Sequence, residues 1–229
     1  MKWGSGLSFS ANLNWLAPLV SAALMLSVGA FVLIRYSTNR LRASIYWGVA
    51  MISYGFSHLL EFGFFSSLIA EDSFTYFVRQ TLVVLMLIFF YAGCTIVFIK
   101  SKSLRALTTF LFFVIQEPIL YYLDYVVANF DLSSEIHIVF FVMPFSIFFA
   151  AFFLADYFTS RRIATLLIAV AWFAFAAILP FYFLWMETPL LPEWFVLRTI
   201  TLIPLAIGFV ELAHKSRQGS RRAGLQETT

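Results

Sequence analysis

Charge is scarce in this chain. Only 12% of its 229 residues are Asp, Glu, Lys or Arg, roughly half the share of an ordinary soluble domain, and a water-soluble fold of this size could not cover its surface with so few. A single cysteine, Cys94, rules out an intramolecular disulfide and a thiolate zinc cluster. The only lysines are Lys2, Lys100, Lys102 and Lys215, all at or beyond the ends of apolar runs, which excludes the Schiff-base lysine of a covalent retinal protein. No HExxH or GxSxG pattern occurs, and no nucleophile and base stand at helical spacing. The sequence therefore assigns no catalytic residue, metal ligand set or cofactor.

What is abundant is apolar bulk: 62% hydrophobic residues, with 29 Phe and 6 Trp. Lipid-facing helices accept such side chains, and Trp and Tyr favour the headgroup boundary. A spanning helix needs about 20 largely apolar residues. Seven segments qualify, over 13–34, 45–66, 75–98, 106–127, 137–158, 163–185 and 194–213. Short joints rich in Ser, Thr, Asp, Asn and Pro separate them. Hydrocarbon offers backbone groups no water to bond, and no alternating barrel pattern appears, so the spans must be helical. The expected fold is an all-α polytopic membrane protein, one bundle of seven transmembrane helices over 1–214 with a short basic tail over 215–229. The first helix reads as a retained anchor.

Basic residues set the expected orientation. Twelve of the fifteen Lys and Arg flank the first, third and fifth joints or lie in the tail, which places those regions in the cytoplasm by the positive-inside rule. The remaining joints carry Glu71, Asp72, Asp131, Glu135, Glu187 and Glu193 and no Lys or Arg. The amino terminus is thus expected outside and the carboxyl terminus inside, in a cell membrane. Topology accounts for the positive charge, so a nucleic-acid partner is not implied.

The segments Asn39-Arg40-Leu41-Arg42-Ala43, Lys102-Ser103-Leu104-Arg105-Ala106 and Ser160-Arg161-Arg162-Ile163-Ala164 precede the second, fourth and sixth spans. They read either as three parallel helical hairpins plus one helix or as convergence, since any inward-starting helix opens on basic residues. In the hairpin register Glu61 and Asp124 are equivalent, each 19 residues after its arginine.

Ionisable groups within a span are costly and usually mark a polar interior or a site. His58, Glu61, Arg79, Glu117, Asp124, Asp156 and Arg198, with the amides Gln80 and Gln116 beside them, form such a set. Glu61, Arg79, Asp124 and Arg198 fall at a shared depth, about 5–8 Å inside the outer boundary at 1.5 Å per residue. Opposite charges at one depth pair, so Glu61 should meet Arg79, and Arg198 should meet Glu117 or Asp124. His58 and Glu61 are three apart and share a helical face. Pro118 should open the turn before it and free a carbonyl near Gln116 and Glu117. Tyr121, Tyr122 and Tyr54 lie deep enough to line a cavity. His58, Glu61 and His137 could supply three ligands to a metal or haem, although their spacing matches no metal motif.

Two functions fit this pattern. One is a sensor or receptor-like bundle that binds a small or lipophilic ligand through His58, Glu61, Arg79, Gln116, Glu117, Tyr121, Asp124 and Arg198 and signals to a separate cytoplasmic protein. The basic-loop and small-residue arrangement is generally similar to the seven-helix sensory segments of prokaryotic signalling proteins. The other is a small carrier in which Glu117 and His58 exchange a proton or cation.

Overall fold

A computed structural model describes residues 16–39, 42–185 and 191–226. Among these residues the chain consists of helices and short joints, with no strand. The helices are α1 (Ala17–Asn39), α2 (Arg42–Phe65), α3 (Ser73–Phe98), α4 (Lys102–Tyr121), α5 (Phe130–His137), α6 (Met143–Ser160), α7 (Ile163–Trp185) and α8 (Leu191–Gln226). A π-helical turn over Tyr122–Val127 prolongs α4, and a second over Ile138–Val142 joins α5 to α6. The chain is an all-α polytopic bundle, and among the described residues six helices are long and apolar enough to cross a membrane.

The second expected span is the one outside that set. Helix α2 runs 24 residues, about 36 Å at the usual rise, so length is not its shortfall. Its low hydropathy comes from Ser44, Gly48, Ser53, Gly55, Ser57, His58, Glu61 and Gly63, all buried. This helix lies between α1 and α3, and its small and polar side chains are buried where neighbouring helices approach closely. At the other extreme, α8 continues helically past residue 213 to Gln226, so the backbone of the expected tail prolongs the last helix. Residues 13–15 of the first expected span, the joint over 186–190 and the last three residues lie outside the described residues.

Several helix ends follow from local chemistry. Asp72 caps α3: its side chain accepts from the Thr75 N–H at 2.8 Å, and the Thr75 hydroxyl oxygen accepts from the Asp72 N–H in return, a reciprocal capping box. Ser101 caps α4, and Asn129 caps α5 by accepting from Leu132 N–H. Pro144 sits in the first turn of α6, where a missing N–H costs little. Pro118, Pro180 and Pro204 lie inside α4, α7 and α8, which continue through them.

Neighbour contacts run α1–α2–α3–α6–α7–α8 and back to α1, closing a ring, while α4 packs chiefly on the outside of α3. An aromatic core fills one half of the ring: Trp47, Phe90, Phe149, Phe153, Trp172 and Phe209 are buried. Phe149 lies 4.9 Å and Phe90 5.1 Å from Trp172, and Trp47 lies 5.4 Å from Phe209. Edge-on and tilted pairs of this kind each contribute about 0.5–1.5 kcal/mol beyond burial. In α4, by contrast, only Gln116 and Leu120 are buried. The environments of α2 and α4 therefore differ, whatever the likeness of their basic starts.

Close helix approach rests on glycine at two crossings. A Cβ on Gly29 would lie 2.9 Å from the Gly48 carbonyl oxygen, and one on Gly208 would lie 2.8 Å from that of Ala164. Backbone cannot give way as a side-chain tip does. Gly29→Val should therefore destabilise the protein by about 1–3 kcal/mol, seen as a lower thermal unfolding midpoint in detergent, while Phe173→Leu on the exposed face of α7 leaves the midpoint in place.

Candidate functional site

Glu61 is the centre of the buried polar structure. It is 3% exposed and sits near the end of α2, where α3 and α8 converge on it. Arg79 Nη2 donates to its Oε1 at 3.0 Å, as the shared depth of the two residues predicts. His58 Nδ1 bonds its Oε2 at 3.1 Å from one turn earlier on the same face. Arg198 closes the group with a two-pronged contact, Nη1 to Oε1 at 3.1 Å and Nη2 to Oε2. Two parallel N–H···O bonds between guanidinium and carboxylate form the strongest geometry for such a pair.

The partner of Arg198 is thus Glu61, which corrects the expected pairing with Glu117 or Asp124. The reason is the position of α4. Packed outside α3, it cannot present a carboxylate to α8 across the ring. Arg198 is also enclosed by aromatic rings, its Cζ lying 4.8 Å from the Trp194 ring centre and 4.9 Å from that of Phe195. These faces favour a cation in a dry setting. Arg198 is 4% exposed and does not extend to the interface. Arg79 retains partial exposure, at 18% of its side chain.

A second network lies beside the first. His137 Nδ1 meets Gln80 Oε1 at 2.8 Å, and Gln80 Nε2 donates to Tyr76 Oη at 3.3 Å. Tyr76 in turn bonds the Ser134 hydroxyl and donates to the Phe130 carbonyl at 3.0 Å. Tyr76, Ser134 and the coupling of Gln80 to His137 are absent from the sequence reading. Their signal was Tyr76, Arg79 and Gln80 at i, i+3 and i+4, and Ser134 and His137 at i and i+3, each set on one helical face.

Between the networks lies a cavity of about 60 Å³, lined among others by Tyr54, His58, Arg79, His137, Trp194 and Arg198. Three of these residues keep a buried nitrogen with no hydrogen-bond partner among the described residues: His58 Nε2, His137 Nε2 and Arg198 Nε. With Nδ1–H given to Glu61 or to the Gln80 carbonyl, each imidazole Nε2 is an acceptor; the guanidinium Nε is a donor. Two acceptors and one donor thus face one space, where buried polar groups are rarely left unbonded. Arg79 and Ser134 also border a smaller space of about 30 Å³ towards Glu71 and Asp131. That space lies beside the joint between α2 and α3, on the acidic side of the bundle.

Two guanidinium groups against one carboxylate leave this cluster with an excess positive charge, which opposes a metal cation at the histidines. Glu61 is moreover occupied by three partners. No group of three or more metal-binding side chains occurs among the described residues.

The rest of the expected set is elsewhere. Glu117 is half-buried and accepts from the Thr81 hydroxyl at 3.1 Å. Gln116 is fully buried with both amide atoms unpartnered among the described residues. Asp124 is fully buried in the π turn, and its environment is unlike that of Glu61 despite the matching register. Tyr121 is 53% exposed, stacked on Tyr125 and edge-on to Phe77, and so faces outward rather than lining the cavity. None of the four borders the space between the histidines.

Replacing Glu61 leaves two cations facing one another without a counter-charge. Glu61→Gln should lower stability by about 3–5 kcal/mol, and Glu61→Gln/Arg198→Met should recover part of that loss in a double-mutant comparison of thermal midpoints. No family model, curated protein or solved structure matches the chain.

Proposed function

We propose that this protein is a seven-helix sensor of the cell membrane, amino terminus outside, which binds a small polar ligand in the outer half of the bundle. The observation that carries the reading is the trio of unpartnered buried nitrogens, on His58, His137 and Arg198, around one cavity. A space of about 60 Å³ is far below the roughly 300–1,000 Å³ of sites for drug-sized molecules. It suits a ligand of a few heavy atoms, and the excess guanidinium charge favours an anion that keeps a hydrogen to donate to the imidazoles. A lipophilic guest has no room there.

Occupation of the cavity bridges α2, α5 and α8, because His58, His137 and Arg198 belong to those helices. A ligand that prefers one arrangement of these three shifts the population of that arrangement. The helix that carries Arg198 runs on to the basic segment, which offers a separate cytoplasmic signalling protein a surface to read. The carrier alternative requires Glu117 and His58 to hand on a proton or cation, yet Glu117 does not line the cavity that His58 borders.

Thermal unfolding in the presence of bicarbonate, with formate and nitrate as anions that carry no donor hydrogen and urea and formamide as uncharged controls, tests this. A ligand present at a hundred times its Kd stabilises by about 2.7 kcal/mol, so bicarbonate should raise the midpoint of the wild type and quench Trp194 fluorescence saturably. His137→Phe should abolish both effects. Absence of any response across the panel would remove the sensor reading, and proton uptake into liposomes that Glu117→Gln eliminates would replace it with the carrier.

A further inference from the structure

A large apolar space belongs to neither network. It is a groove of about 790 Å³ between α2, α3 and α4, at the end of the bundle opposite Glu61. Its walls are mainly apolar, with Tyr46, Ile88 and Phe110 among them. Arg42, Lys102 and Arg105 all line it. Arg42 and Lys102 are exposed, and Arg105 is half-buried, donating to the Ile99 carbonyl at 2.7 Å. None of the three is ion-paired among the described residues.

The groove exists because α4 packs on α3 and not on α2. Its side walls continue into the outward face of α4, where Leu107 and Phe110 are more than half exposed. An apolar trough with a cationic rim at a helix end matches an amphiphile with an anionic head. Basic pockets between spanning helices have this chemistry towards phosphate-bearing lipids. A second copy of the chain fits poorly, since a twofold contact sets each patch against itself and would bring six cations together.

We propose that this groove is a binding site for an anionic phospholipid of the surrounding bilayer. The phosphate sits on Arg42, Lys102 and Arg105, and one acyl chain lies along Tyr46, Ile88 and Phe110. The lipid fills the gap between α2 and α4 and so completes the packing of the fourth span. The site is independent of the sensor reading, because no residue is shared with the cavity between the histidines.

Native mass spectrometry of the full chain, released from nanodiscs of mixed phosphatidylglycerol and phosphatidylcholine, reads out the lipid directly. One phosphatidylglycerol per chain should be retained, with roughly tenfold or greater preference over phosphatidylcholine. Arg42→Gln/Lys102→Gln should remove the preference. Ala106→Trp, which fills the groove from an exposed position and leaves every charge in place, should remove the bound lipid, and Thr109→Phe repeats the block one turn on. Soluble glycerol phosphate should not compete, because it lacks the chain. Elution volume and thermal midpoint establish that each variant is folded. Equal retention of both lipids, retention unaltered by both blocking variants, displacement by glycerol phosphate, or a lipid-free dimer would each overturn the proposal.

Discussion

A carboxylate that has left water must be compensated inside the protein, and in this bundle one carboxylate determines what surrounds it. Glu61 receives two guanidinium groups and an imidazole. Because an uncompensated charge costs several kcal/mol in such a medium, α2, α3 and α8 are not free to rotate or slide relative to one another without breaking it. Depth, rotation and pairing of three helices are tied to one side chain. The aromatic core in the other half supplies bulk cohesion, but apolar packing alone tolerates sliding more readily than a directional ion pair does.

The second network has a different character. It joins neutral groups, from His137 through Gln80 and Tyr76 to Ser134, and anchors α5 to α3. The π-helical turn directly after His137 offsets the face that α6 presents from the face that α5 presents. Turns of that type recur at functional positions. Charge on one wall and neutral polarity on the other leave the intervening cavity with donors and acceptors in excess of what the protein itself satisfies.

Much of this was legible from residue order. Apolar runs located the helices, because hydrocarbon forces the backbone to bond internally, but they do not mark ends set by polar sequence: α8 runs on to Gln226 and the fifth helical run starts at Phe130. The contacts of Glu61 with His58 and Arg79 followed from helical spacing and from depth. What depth cannot supply is azimuth: Arg198 and Asp124 occupy similar levels, but the order of helices around the ring keeps them from meeting. Low hydropathy in α2 and the scarcity of buried residues in α4 both report that order, one helix being enclosed and the other peripheral. Reading the two spans as equivalent because both begin on arginine hid the difference. Tyr76 and Ser134 went unassigned because hydroxyl groups are cheaper to bury and stand out less, and Gln80 stood in the costly set without a partner.

The spacing of the Glu61 partners along the chain also sets a schedule for synthesis. Arg79 follows Glu61 by 18 positions, within the next helix, whereas Arg198 follows by 137. As the ribosome delivers the chain, the acidic helix acquires its first counter-charge almost at once. The second cation reaches it only when α8 arrives, so the ring closes late and a chain truncated before α8 keeps its buried acid only half compensated.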